Sequence, residues 1–391
     1  MKLKRILFSF SLIFSMLFVG YTKSYAIFGI ENKTKASLIG DVQSGGLFLS
    51  ENIEEQLSIA SISKLMNYFV VRDAIEEGKI KREDVVTISK ASASEEGSSL
   101  DLLEGEKITI NDLLDGLMVV SGNDAAHALA EAVSGSEEEF VKLMNNKAKE
   151  IGLEAAEFTN ASGLTKNSAD NKMSTKDIFT MSKALIEKYP EVLEYSKKTV
   201  LEQPNRNYKR ESTIPLVGEV NGVDGLKTGY TEEAGYCLVS TMKITKGQSE
   251  FRVIAILMGV NTKEERAQYM KDMLNYVKEN ISTKKLVDSS TFVKRVTINS
   301  STKGYVDIVP EKDVERITLK NINYEFETEI SKIKLPLKKG DKVGEIRVKN
   351  SEKIVETVNL IASDNYEKTG FLKRVGRFFM EILKTVETIL P

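Results

Sequence analysis

Three short groups of residues carry side chains that could act on an acyl carbon. Ser61-Ile62-Ser63-Lys64 places a hydroxyl and an amine three residues apart, one helical turn along a shared face. An amine can take a hydroxyl proton only when it is itself neutral, which requires burial or a neighbouring cation to depress its pKa. The same spacing recurs at Ser240, Ser282, Ser300 and Ser331, so spacing alone does not separate a nucleophile from a solvated pair. Two further groups supply the context. Ser121-Gly122-Asn123 follows about 60 residues later, and Lys227-Thr228-Gly229 about 100 beyond that, just ahead of the apolar run 236–239. Hydroxyl, carboxamide and ammonium groups brought in this order by separate segments could line one cleft, with Gly229 letting a substrate backbone approach closely.

Each group needs an element to aim it. Ile62, Leu65, Met66, Phe69 and Val70 recur at helical spacing behind Ser61, so the first group opens a helix that meets a core. Residues 110–132 are also helical in pattern, with Ser121-Gly122-Asn123 as a tight turn between two helices that pushes polar side chains into a cleft. The runs 236–242 and 252–260 read as strands, and residues 27–284 as one large α/β domain. From 285 to 363 short alternating segments, among them 293–298, 324–330 and 354–361, predict a small all-β domain. Residues 364–391 predict a linker and then an amphipathic helix. Phe371, Val375, Phe378, Phe379, Ile382, Val386 and Ile389 form its apolar stripe, with Lys373, Arg374, Arg377, Glu381, Lys384 and Glu387 elsewhere, a pattern suited to lying on an acidic membrane surface.

Composition removes other classes. The 391 residues hold 55 Lys+Arg against 57 Asp+Glu, so there is no basic excess for a nucleic-acid partner. A single cysteine, Cys237, and a single histidine, His127, allow neither an intrachain disulfide nor a Cys/His zinc site. Cys237 reads as strand core, and His127, four residues after Asn123, as a packing residue. The charged start, the apolar run 6–20 and Ser24-Tyr25-Ala26 read as an export signal over residues 1–26. Losing its Lys2, Lys4, Arg5 and Lys23 takes the formal charge from −2 to −6.

Further stretches carry a resemblance: Ala36-Ser37-Leu38-Ile39-Gly40-Asp41, Glu157-Phe158-Thr159-Asn160-Ala161-Ser162-Gly163-Leu164 and Asp224-Gly225-Leu226-Lys227-Thr228-Gly229-Tyr230-Thr231. With the three groups, they make the sequence resemble, over nearly its whole length, the low-molecular-weight penicillin-binding proteins, the serine-type D-alanyl-D-alanine carboxypeptidases. The resemblance implies a penicillin-binding/β-lactamase-like transpeptidase fold, an antiparallel sheet with flanking helices, followed by the all-β domain and a membrane-anchoring helix. It implies removal of the terminal D-alanine from peptidoglycan stem peptides at the outer face of the cytoplasmic membrane, covalent inhibition by β-lactams, and no metal or organic cofactor. Ser61 is then the nucleophile, Lys64 its base, Ser121 the proton route to the leaving amine, and Asn123 a partner of both the substrate backbone and Lys64. Lys227 and Thr228 take the substrate's terminal carboxylate, Gly229 admits its backbone, and Arg266 lies near the carboxylate pocket. The backbone N–H groups of Ser61 and Tyr230 form the oxyanion hole.

The chain also departs from the family. Ile59 stands where a proline is usual and Glu157 where a histidine is frequent, neither at a position that carries chemistry. Ser363-Asp364-Asn365 and Lys368-Thr369-Gly370 repeat the second and third groups literally, but lie too close together to face each other across a cleft. A fast-deacylating β-lactamase needs a Glu-x-x-Leu-Asn loop, and the one Leu-Asn pair, Leu274-Asn275, has Lys271 in place of the glutamate. A non-catalytic wall-binding module has no need of all these groups intact. A DD-endopeptidase shares every catalytic residue, and cleft shape must decide between it and a carboxypeptidase.

Overall fold

The computed structural model describes residues 32–166, 168–350, 353–373 and 375–377. The expected export signal and residues 378–391 of the tail lie outside them.

A five-stranded antiparallel sheet forms the centre of the first domain. Its strands are β1 (Ala36–Asp41), β2 (Leu47–Glu51), β3 (Val223–Thr231), β4 (Gly235–Lys246) and β5 (Ser249–Val260), in the spatial order β2-β1-β5-β4-β3. Neighbouring side chains on a strand face opposite ways, and here both directions are buried. Ile254, Ile256 and Met258 enter a large helical core, while Val253, Ala255 and Leu257 pack with Met270, Met273 and Leu274 of helix α6 (Lys263–Asn280). That double burial explains why these strands read as nearly unbroken apolar runs.

Between β2 and β3 the chain makes the helical half, including α1 (Lys64–Glu76), α2 (Ile110–Val119), α3 (Asn123–Ser134), α4 (Glu137–Glu150) and α5 (Thr175–Lys188). Thr109, Ser136 and Ser174 cap α2, α4 and α5 by accepting from backbone N–H groups three residues on. Helix α1 is buried on every side from Lys64 to Val71, more deeply than the one-sided apolar pattern suggests. Each large apolar side chain there contributes about 1.5 to 3 kcal/mol by burial. Its polar members are satisfied only in part, which carries a cost: Lys64 Nζ and Asn67 Nδ2 donate to buried acceptors, whereas Asn67 Oδ1 and the Tyr68 hydroxyl have no partner.

The third group corrects one detail of the sequence reading. Lys227-Thr228-Gly229 does not merely precede a strand; it lies within β3, the edge strand that pairs with β4, Leu238 standing opposite Thr228.

Helix α6 ends at Asn280, and β6 (Ile281–Val287) starts the β module by pairing with β9 (Val314–Leu319). A second five-stranded antiparallel sheet follows, from β7 (Lys294–Thr297), β8 (Tyr305–Pro310), β10 (Glu325–Ile330), β11 (Lys342–Asn350) and β12 (Lys353–Ala362), in the order β7-β8-β12-β11-β10. The stretch from 364, expected as a linker, is instead stitched to this sheet. Tyr366 is buried among Val306, Ile308 and Leu360, its backbone bridges Leu337, and Lys368 bridges Ser301. A polar sequence concealed this because one ring, Tyr366, enters the core, and further ties are backbone bonds such as Thr302 N–H to Glu367 O and Thr369 N–H to Ser300 O. Residues 371–373 and 375–377 are helical. Among the described residues no helix is long and apolar enough to cross a membrane.

Candidate active site

Ser61 sits in a 3-10 turn (Ala60–Ser63) that runs directly into α1. Ala60 just before it has φ +47, and Ser121 has φ +63, left-handed conformations that cost a non-glycine residue of order 1 to 3 kcal/mol and cluster at functional sites. The turn packs against the edge strand β3. Gly229 is what allows this: a Cβ there would stand 2.8 Å from the Ile59 carbonyl oxygen. The close approach expected of a substrate backbone is thus made first by the protein's own.

Ser61, Ser121, Asn123, Thr228, Tyr230 and Arg266 all line a single cleft of about 980 Å³, with the fully buried Lys64 and Lys227 behind them. Gly229 lines it as well. Lys64 Nζ lies 2.8 Å from Ser61 Oγ, 2.6 Å from Asn123 Oδ1 and 2.8 Å from the Ser162 carbonyl oxygen. The last two are acceptors only. A neutral amine would give them its two N–H bonds and leave its lone pair on the Ser61 hydroxyl. Across the cleft, Lys227 Nζ donates to Ser121 Oγ at 2.8 Å and to the Thr228 carbonyl at 3.2 Å. The Thr228 hydroxyl donates to Thr213 Oγ1 at 3.1 Å.

Burial pushes Lys64 well below the usual lysine range, and Lys227 lowers it further, against the opposing pull of Asp124 and Glu95. Lys227 is pushed down to about 7 by burial and then by the Arg266 guanidinium. Arg266 is buried rather than a surface residue. Its Nη1 donates to the Cys237 carbonyl, while its Nε has no partner and lies beside the cleft. Cys237 is core, its thiol pushed up to about 11 by burial.

His127 is not simply a packing residue: its Nδ1 lies 2.7 Å from Glu95 Oε1. Glu95, His127 and Glu137 offer atoms within 4.8 Å of one another that could hold a cation. The Lys166 ammonium already occupies that place, 2.7 Å from Glu95 and 3.1 Å from Glu137.

Several supporting groups escaped the sequence reading. Asn123 is aimed by backbone carbonyls, its Nδ2 donating to Glu96 O at 2.5 Å and its N–H to Ser98 O at 2.7 Å. Asp124 is buried and accepts from the N–H groups of Leu100 and Leu102 and the Ser99 hydroxyl, holding the cleft-side loop. Its place in the first turn of α3 was the available signal. Backbone carbonyls leave no mark on side-chain patterns, so Glu96 and Ser162 had none.

A serine on a 3-10 turn beside a buried lysine at the start of α1, a Ser-x-Asn turn between two helices and a Lys-Thr-Gly edge strand together define a penicillin-binding type of site. The chain belongs to the D-alanyl-D-alanine carboxypeptidase family, whose sequence model matches residues 23–262. A second model, the C-terminal domain of penicillin-binding protein 5, matches residues 282–368. The chain is 33% identical over 369 residues to D-alanyl-D-alanine carboxypeptidase DacC of Escherichia coli (strain K12), covering 88% of this chain and 87% of that protein. It is 31% identical over 355 residues to DacF of Bacillus subtilis (strain 168), covering 89% and 90%. Penicillin binding protein 5 from Haemophilus influenzae matches in structure with a TM-score of 0.65 at 26% identity, over 86% of this chain and 98% of that one.

Proposed function

We propose that this protein is a serine-type D-Ala-D-Ala carboxypeptidase that trims the terminal D-alanine from peptidoglycan stem peptides. The observation that carries the reading is the buried Lys64 amine, 2.8 Å from Ser61 Oγ and held by two acceptors, where burial favours the neutral form whose lone pair would face the Ser61 hydroxyl. Ser61 Oγ attacks the carbonyl between the two D-alanines while Lys64 takes its proton. The oxyanion forms between the backbone N–H groups of Ser61 and Tyr230, donors worth about 2.7 to 4 kcal/mol each in comparable sites. The proton taken up by Lys64 returns to the departing D-alanine amine by way of the Ser121 hydroxyl, which is bonded to Lys227. Water then hydrolyses the Ser61 ester. Lys227, Thr228 and Arg266 hold the free carboxylate by charge-assisted hydrogen bonds, and Asn123 and the Gly229 strand edge align the substrate backbone.

A β-lactam enters the same path, but its leaving group stays tethered, so the ester persists. Export through residues 1–26, a catalytic domain over 27–284, the β module, and an anchor beyond residue 370 on the outer membrane face complete the proposal.

The test uses mature protein, a diacylated tripeptide ending in D-Ala-D-Ala, and benzylpenicillin. One D-alanine should be released per peptide, and peptide mapping should place the penicilloyl mass on Ser61. An adduct on another serine, or none with folded protein, overturns the assignment. The peptide with an amidated C-terminus should be a poor substrate; equal turnover of acid and amide would instead favour a DD-endopeptidase.

A further inference from the structure

A charged cluster joins the walls of the cleft on their outer side, and the mechanism above makes no use of it. His127 and Glu131 stand four residues apart on α3, on one face, and both grip the segment over 89–96. Glu131 accepts from the hydroxyls of Ser89 and Ser92, each at 2.7 Å, and His127 Nδ1 meets Glu95 Oε1 at 2.7 Å. The same Glu95 oxygen accepts from Lys166 Nζ at 2.7 Å, and Lys166 also reaches Glu137 Oε2 at 3.1 Å. Glu137 Oε1 in turn accepts from the Ala161 N–H at 2.9 Å. Three separate segments therefore meet at Glu95, whose side chain is 8% exposed. Exposed ion pairs are worth about 0 to 1 kcal/mol and position little. This one is largely buried and joins three walls.

Those walls carry the carbonyls that aim the catalytic groups. Glu96, next to Glu95, supplies the oxygen that holds Asn123 Nδ2, and Ser162, four residues before Lys166, supplies the oxygen that holds Lys64 Nζ. We propose that Glu95, bridged by Lys166 and His127, is a positioning residue for acylation. It sets the spacing of the Glu96 and Ser162 carbonyls, and so keeps Asn123 and Lys64 aligned on Ser61. Misplacement by about 1 Å in such a site costs about 10²-fold in rate.

Charge gives the device a signature that bracing alone lacks. Lys64 faces Lys227 on β3, Asp124 on α3 and Glu95, and the two acids favour its protonated form. Glu95 faces Lys166 and His127, and His127 also faces Glu131 and Glu137. Neutralising Glu95 therefore favours neutral Lys64, whereas removing the Lys166 charge leaves Glu95 less compensated and disfavours it.

This inference rests on the acylation reading, and the experiment separates the two. Benzylpenicillin acylation is followed by mass against pH for the parent, Glu95→Gln, Lys166→Met and Lys166→Arg, each normalised to the fraction of protein that finally acylates. Glu95→Gln and Lys166→Met should acylate about 10-fold or more slowly at the plateau, with the initial penicillin dissociation constant within about two-fold of the parent. The ascending limb should move to lower pH in Glu95→Gln and to higher pH in Lys166→Met. Lys166→Arg, which keeps the charge, should restore most of the rate, and with Lys166→Met it carries the test if Glu95→Gln does not fold. Variant rates within about two-fold of the parent at every pH, or limbs moving the same way, overturn the inference while leaving the function intact. A parent that forms no Ser61 adduct removes both.

Discussion

The proposed mechanism needs the two buried amines of the site in opposite protonation states, and burial pushes both towards neutrality. Lys64 must lose its proton to act as base, so acylation rises as pH climbs through its depressed pKa. Lys227 must keep its proton to hold a carboxylate, and in the free enzyme that charge is lost as pH rises through about 7. The sign of each effect gives a bell-shaped kcat/KM for an acid substrate, with the descending limb set by Lys227. A bound carboxylate stabilises the ammonium, so the same limb should lie at higher pH in kcat than in kcat/KM. An amidated substrate should lose that limb. Lys64→Ala should slow acylation by roughly 10²-fold or more, the usual scale for a general base. Steady-state profiles between about pH 5 and 9 check this, and a rate independent of pH there, with chemistry limiting, contradicts it.

At the scale of elements, the site is assembled by backbone contact between segments far apart in the chain. Gly163 shows how tightly. With φ +83, it lies where a Cβ would fall 1.9 Å from the Ala60 carbonyl oxygen and 2.7 Å from Ser63 Oγ. The loop bearing the Ser162 carbonyl can therefore touch the first motif only because residue 163 has no side chain. Gly163→Ala should displace that carbonyl from Lys64, slow acylation by about 10-fold or more and lower the melting temperature. Acylation by penicillin and calorimetry measure the two effects. A stable variant with the parent's rate would show that the contact is dispensable. Gly229 makes the matching approach on the opposite side, against Ile59.

The whole molecule adds a β module whose last strand does not end the fold. Tyr366 is buried, its hydroxyl accepts from the Asp307 N–H, and Asp364 pairs with Lys303. Further on, the Arg377 guanidinium donates to the carbonyls of Ser301 and Thr302, while Phe371 and Leu372 stand exposed. The position of a truncation therefore matters. A chain ending at Gly370 should keep its soluble-peptide activity and its folded β module, yet lose binding to anionic vesicles. A chain ending at Ser363 also loses the Tyr366 ring, a deletion on the scale of about 3 kcal/mol or more, and its β module should melt earlier. Vesicle sedimentation at low salt and thermal unfolding distinguish the two. Equal vesicle binding by the Gly370 truncation and the parent would remove the anchor proposal.

The sequence by itself determined the chemical groups, their order, and the helices around Ser61 and Ser121, but not that Lys227-Thr228-Gly229 lies within a strand. Ser61, Lys64, Ser121, Asn123 and Lys227 meet in the fold as the order of the three motifs suggested, although the spacing of any one motif did not single them out. The sheet was legible because burial on both faces forces continuous apolar strands. Tertiary structure alone decided what those groups touch. Nothing in the chain of letters shows that the Ser162 and Glu96 carbonyls aim Lys64 and Asn123, since every residue carries a carbonyl and only packing selects one. His127 looked like core by its helical position, but a carboxylate 32 residues earlier in the chain claims its ring. Tyr366 looked like linker because its neighbours are polar, yet Val306 and Leu360 close over it. In each case the deciding partner is distant in sequence, and its contribution depends on a distance of a few ångströms that only the folded chain sets.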